Sequence, residues 1–319
     1  MNSKFSALLL LTLPATTALA QEPVWDANTV VLESQQLADG IFAVVPTGAA
    51  DVAKAGLPIA TTGGFVIGAN GVLVIESMLN KRLNTQLFEL IAAETDKPVR
   101  YLVNTSAHGD HSYGNFYLPE AIDIIQHVNA AAYIDAHFEA DTAFMIQNLG
   151  AGRGIEEIAP TDADILVQSG GAFTVDLGGV TVDIKDFGFA QTGGDLFVSV
   201  PSAGVLWTGN AIVAEEPALP WLLDGHLIAT RETLETVYAS FPGDTKVVPG
   251  HGPVTDMTAV KWGIDYLTAV EAEVRTALSD NLTLEETVER VQLPAFQGYA
   301  LFGWVHPVLN IPAAYNDLK

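Results

Sequence analysis

"NTSAHGDHSYGN", Asn104 to Asn115, is the stretch on which the fold turns. It sets His108, Asp110 and His111 within four positions, among small residues. Imidazole nitrogen and carboxylate oxygen are donors that Zn²⁺ takes, usually four to an ion, with one place left to water in a catalytic site. A His-x-Asp-His run can aim its donors in different directions. The same residues can also serve a loop that caps its own backbone, and that alternative stands beside the metal reading. Two residues before His108, where a further ligand is expected, the chain carries Ser106.

Two other loops follow apolar strands and carry residues of the same kind. One is FAQTGGD with Gln191, answered by TGN with Asn210, and the other is PGHGP with His251. Each is set among glycines, which let loops turn tightly and side chains converge at sheet ends. A histidine from a remote loop closes a ligand set that His108, Asp110 and His111 begin. Zinc-bound water loses a proton near neutral pH and becomes a nucleophile. Asp110 is placed to orient that water or accept its proton.

The elements around these loops follow from periodicity. Residues 30–46 read as strand, turn at Asp39-Gly40 and strand, and 63–77 as a hairpin around Ala69-Asn70-Gly71. Leu83, Leu87, Leu90 and Ile91 give a helical spacing capped by Asn80. VRYLVNTS is a short strand feeding the quoted loop. The second half repeats the pattern. It has a strand at 121–128 and a helix ending at Gly150. Strand pairs follow around Gly178-Gly179 and Ser202-Ala203-Gly204, then a helix capped by Thr230 and the strand TKVVP. Helices follow from Asp256 to Asp280 and after the capping box Thr283 to Glu286. Hairpins, then strand–loop–helix units, twice over, predict two stacked sheets with helices outside. Residues 48–63 are a glycine- and alanine-rich flap.

Of the 319 residues 49% are hydrophobic, enough for a large core, and the formal net charge is −24. Nucleic acid and anionic membranes need clustered Lys and Arg and are poor partners for such a chain. The acidity suits a soluble surface, and a cationic partner is the sharper alternative. With no cysteine, disulfides, zinc thiolates and thiol nucleophiles are excluded. There is no Gly-x-Ser-x-Gly elbow, phosphate-cradling loop or dinucleotide fingerprint. The opening MNSKFSALLLLTLPATTALA has Lys4, a short apolar run and Ala18-Leu19-Ala20 before Gln21. It is expected to be a secretory signal peptide, residues 1–20, cleaved after Ala20 to leave a periplasmic or secreted protein with no membrane segment in the mature form.

Together these segments resemble the metallo-β-lactamase superfamily over nearly the whole mature length. The family's first motif, Thr-His-x-His-x-Asp-His then x-x-Gly, is met at Thr105, His108, Asp110, His111 and Gly114. GGFVIGANGVLVIES looks like the opening hairpin, with Glu76 where an Asp is usual. Residues 189–210 look like the third and fourth motifs, and VVPGHGPV like the last. The C-terminal GWVHPVLNIPAAYNDL is similar, more loosely, to secreted members including the quinoprotein-associated metallohydrolases. The resemblance implies an α+β fold, a four-layer αβ/βα sandwich, forming one domain over 21–319 with a C-terminal helical segment.

It also implies a ligand set. The family's first metal site uses three His, and here those places hold Ser106, His108 and Gln191. The second uses Asp, His and His, and Asp110, His111 and His251 stand there. The Asp that bridges both metals is Asn210. Neutral amide and hydroxyl oxygens are weaker zinc ligands than imidazole or carboxylate, and harder. One Zn²⁺ on Asp110, His111 and His251, with Asn210 or water completing it, is therefore expected rather than two; a harder cation is the lesser alternative.

Two functions remain open at this point. One is a periplasmic hydrolase of an ester, thioester, lactone or β-lactam carbonyl, with Asp110, His108 and Asn210 as catalytic residues and a small molecule as substrate. The other is a non-catalytic periplasmic binding or accessory protein with a degenerate metal site. His127, His226 and His306 are assigned no role, and the oligomeric state is not readable.

Overall fold

A computed structural model describes residues 29–49, 51, 60–149, 152, 154–213, 219–297 and 302–319. The expected signal peptide and most of the flap, residues 50 and 52–59, lie outside the described residues. Among the described residues two mixed sheets stack face to face. The first has seven strands in sequential order: β1 (Leu32–Ala38), β2 (Ile41–Pro46), β3 (Gly63–Ile67), β4 (Val72–Ile75), β5 (Val99–Val103), β6 (Asp123–His127) and β7 (Ile165–Val167). Pairing is antiparallel up to β4 and parallel from β4 to β7. The second sheet runs β13-β12-β11-β10-β9-β8. Its strands are β8 (Ala172–Asp176), β9 (Thr181–Lys185), β10 (Phe197–Val200), β11 (Val205–Val213), β12 (Lys246–His251) and β13 (Thr255–Asp256), with β11 and β12 parallel.

The apolar runs are continuous because both faces of each central strand are covered. In β4, Leu73 and Ile75 point between the sheets, toward Ile184, Val198 and Trp207. Val72 and Val74 point the other way, onto Leu83, Leu87 and Ile91 of α1 (Lys81–Glu94), a layer that α3 (Val128–Leu149) joins through Phe138. The second sheet buries Leu206, Ile212 and Val247 under helices that follow it. These are α4 (Leu227–Ser240), α5 (Met257–Ser279) and the C-terminal α7 (Ile311–Leu318). The order is helix, sheet, sheet, helix, the four-layer αβ/βα sandwich expected. Trp207 locks the inner layer: it is 1% exposed and its indole N–H donates to the Gly63 carbonyl of the facing sheet at 3.1 Å.

Local signals in the sequence correspond to the observed caps. Asn80 accepts from the Leu83 N–H, Asp256 caps α5, and Thr283 and Glu286 close the capping box of α6 (Leu284–Arg290). Thr230 does not cap α4. The helix begins three residues earlier, after His226 in a left-handed conformation (φ 61°). Thr230 lies inside the helix and donates its hydroxyl to the Ala190 carbonyl at 2.6 Å. β7 and a π-helical turn at Val305–Asn310, running into α7, had no counterpart in the periodicity. Among the described residues no helix is long and apolar enough to cross a membrane.

Candidate metal centre

Parallel strands end together at one edge of the sandwich, where loops from both sheets meet; crevices outside such carboxyl ends are where α/β sheets bind ligands. β5 runs through Asn104 and Thr105 into α2 (Gly109–Ser112), the short helix that carries Asp110 and His111. β12 ends at His251. An isolated bridge pairs Thr61 with His251, and the Thr62 N–H donates to the Gly250 carbonyl at 2.8 Å, joining the two sheets there.

His111 is fully buried and held from its backbone. Its carbonyl accepts from the Ser77 N–H (2.9 Å), the Ser77 hydroxyl (3.0 Å) and the Asn104 amide (2.9 Å). The Asn104 side-chain oxygen, Oδ1, in turn accepts from the Asn115 and Gln126 amides. Gly114 packs onto this turn so closely that a Cβ there would stand 1.8 Å from the Ser77 carbonyl oxygen, so no larger residue fits. Glu76, buried and in the left-handed region (φ 67°), places Oε1 3.1 Å from His111 Nδ1 and accepts from the Thr105 hydroxyl.

On the other side of the ring, His111 Nε2 lies 3.5 Å from Asp110 Oδ2, and His251 Nε2 lies 3.3 Å from the same oxygen. The three donor atoms fall within 4.8 Å of one another. Tetrahedral coordination at the usual Zn–N and Zn–O lengths sets ligand atoms about 3.4 Å apart. The two measured edges bracket that value. His111 Nε2 is buried without a hydrogen-bond partner among the described residues, the condition of a donor atom made for a ligand. Asp110, His111 and His251 therefore fit one divalent cation. The Thr61 hydroxyl donates to Asp110 Oδ2 at 2.6 Å and orients the carboxylate.

The charges agree with this cluster. Burial opposes ionisation of Asp110, but the neighbouring His111, His251 and His108 hold its carboxyl well below the usual range. Burial likewise disfavours the His111 imidazolium, yet the Asp110 and Glu76 carboxylates raise it to about 9.

The remaining candidates form no second cluster of this kind. His108 Nδ1 lies 3.1 Å from Asn210 Nδ2, so an amide occupies that ring nitrogen. Burial lowers the His108 pKa below its ordinary value despite Asp110 beside it. Ser106 Oγ accepts from the backbone N–H of His108 at 3.3 Å. Gln191 and Asn210 are buried, each with its amide oxygen unpartnered among the described residues. This set, with one imidazole already engaged and no carboxylate, does not fit a second zinc. Gly209 (φ 51°) lets β11 approach Thr105, where a Cβ would meet its hydroxyl at 2.2 Å, and so brings Asn210 to the loop.

Several supporting residues had no sequence signal beyond residue type. Thr61 is one. Asp195 is another: it accepts from Gln191 N, Thr192 N and the Thr192 hydroxyl at 2.7, 2.7 and 2.9 Å, pinning the loop that bears Gln191. Burial raises its pKa to about 6. The other histidines stand apart. His127 Nδ1 accepts from the Asn129 N–H, and Nε2 is 3.3 Å from Asp186. His226 is exposed near Asp317. His306 is buried between Tyr266 and the Val291 carbonyl, tying the C-terminal segment to α5.

A family model described as the metallo-beta-lactamase superfamily matches residues 60–256, more than half of the chain. The chain belongs to the metallo-beta-lactamase superfamily. Members are generally metal-dependent hydrolases that usually hold zinc. No curated protein matches the chain. Among solved structures it is similar to a metallo-beta-lactamase from Pontibacter korlensis, with 17% identity and a TM-score of 0.56 over 75% of this chain and 99% of that one. A metallo-beta-lactamase of Pseudomonas aeruginosa in a mono-zinc form gives 15% and 0.58, over 74% and 95%. A stereoselective inverting sec-alkylsulfatase from Pseudomonas sp. gives 14% and 0.70, over 90% of this chain and 50% of that longer one. At these identities the likeness is one of fold.

Proposed function

We propose that the protein is a periplasmic or secreted hydrolase that uses a single zinc on Asp110, His111 and His251 to cleave an ester, thioester, lactone or β-lactam carbonyl. The observation that carries this reading is the convergence of His111 Nε2 and His251 Nε2 on Asp110 Oδ2, at 3.5 and 3.3 Å. Zinc held there supplies a Lewis acid and a nucleophile from water at neutral pH. The protein's own groups do the rest. Glu76 orients the His111 ring, Ser77 and Asn104 hold its backbone carbonyl, and Thr61 fixes the Asp110 carboxylate. His108, kept neutral by burial and accepting the Asn210 amide N–H at Nδ1, carries its proton on Nε2 and donates it in a hydrogen bond to the substrate or the leaving group. The unpartnered amide oxygens of Gln191 and Asn210 accept hydrogen bonds from water or substrate N–H and O–H groups.

A binding or accessory protein is the second reading, favoured by the His108–Asn210 contact, in which two former site residues satisfy each other. The two separate in one assay: chelated and zinc-reloaded protein against aryl ester, thioester, lactone and β-lactam substrates. Hydrolysis that returns with zinc and is lost in His251→Ala supports the enzyme. No turnover on any of the four supports the binding protein.

A further inference from the structure

A cavity of about 200 Å³ opens beside His108, and its lining includes Asn129, Tyr133, Gly193, Gly194 and Asp224. Its floor is made of small groups: Gly194 presses on Ala130, where a Cβ would stand 2.7 Å from the backbone nitrogen. Its walls differ. Tyr133 is 38% exposed, with its ring packed against His137 at 4.5 Å between centroids. Asp224 is exposed on the segment before α4, and its carboxylate has no hydrogen-bond or ion-pair partner among the described residues. The lining holds no lysine or arginine among the described residues. A carboxylate or phosphate entering it would face Asp224 with no counter-charge. An ammonium would find an unpaired carboxylate and an aromatic face, the two partners that recognise such cations. The net charge of −24 raises the local concentration of cations further.

We propose that this cavity is a specificity pocket for a cationic substrate group, an ammonium held by the Asp224 carboxylate against the Tyr133 ring. The proposal rests on the reading of His108 as part of a hydrolytic site, because the pocket would then receive the portion of the substrate next to the scissile carbonyl. It narrows the substrate to amine-bearing esters, lactones or their relatives.

The test uses binding, so that it does not depend on turnover. Zinc-loaded mature protein is titrated by calorimetry with benzyltrimethylammonium, benzyl alcohol and benzenesulfonate, an anion that coordinates zinc poorly. The ammonium is expected to bind about ten-fold tighter than the alcohol, with benzenesulfonate weaker than both. Added salt should narrow the difference. Asp224→Asn, an isosteric change on an exposed segment, should remove most of the ammonium's advantage over the alcohol, leaving what the Tyr133 ring supplies, with the unfolding midpoint unchanged. Gly193→Val should weaken both ligands by filling the cavity, since a Cβ there meets nothing closer than 3.9 Å. Equal affinities for the three probes, or an ammonium preference that Asp224→Asn leaves undiminished, overturns the pocket. Ammonium preference without hydrolysis of any ester leaves the pocket standing and removes the catalytic reading. Hydrolysis with no charge preference does the reverse.

Discussion

Asn210 Nδ2 lies 3.1 Å from His108 Nδ1. The contact joins β11 of one sheet to the loop after β5 of the other, and it engages one of the two ring nitrogens through which His108 could hold a metal. Restoring Asp at 210 alone should therefore not recruit a second ion, because Ser106 and Gln191 still offer no imidazole. The triple change Ser106→His, Gln191→His and Asn210→Asp should raise zinc from about one to about two per chain. Elemental analysis of the two variants side by side checks this.

Glu76 Oε1 stands 3.1 Å from His111 Nδ1, on the ring edge away from Asp110. A carboxylate there orients the ring and raises its basicity. Glu76→Gln should weaken zinc binding by about 10–100-fold with little change in fold. Competition against a chromogenic chelator measures it.

The raised His111 pKa sets a pH dependence with a definite sign. The folded value is about 9 against an ordinary 6.5, because Asp110 and Glu76 override the effect of burial. In metal-free protein the stabilisation from that imidazolium is complete below about pH 6.5 and is lost as pH rises through about 9. The unfolding midpoint of chelated protein should fall over that window, and His111→Gln should remove the fall. Zinc binding at pH 7 should release about one proton, read from calorimetry in buffers of different ionisation enthalpy.

Trp207 fills the space between the sheets and bonds to Gly63 across them. Trp207→Ala should cost about 3–5 kcal/mol in a denaturant titration. Val308→Ser, at a position 56% exposed, should change stability by less than about 0.5 kcal/mol.

What the sequence disclosed depends on how local the cause is. Asn80, Asp256 and the Thr283–Glu286 box act within three residues, so their caps could be read directly. Thr230 misled because its partner is Ala190, forty residues away and visible only in the fold. β7 has three residues in a polar stretch, too few to show alternation. The π-helical turn contains Pro307, which lacks the N–H a helix needs and argues against one locally. In the site, His108, Asp110, His111 and His251 announced themselves by residue type and loop position. Thr61 reaches Asp110 across 49 residues, and Asp224 and Tyr133 come together only as lining of one cavity, so neither pairing could be picked out beforehand.

The most direct test is the metal content of the purified mature protein together with His108→Ala and His251→Ala. The account predicts about one zinc per chain in the native protein, one kept in His108→Ala and none in His251→Ala. Two zincs per native chain, or none with stability indifferent to chelator, would contradict it.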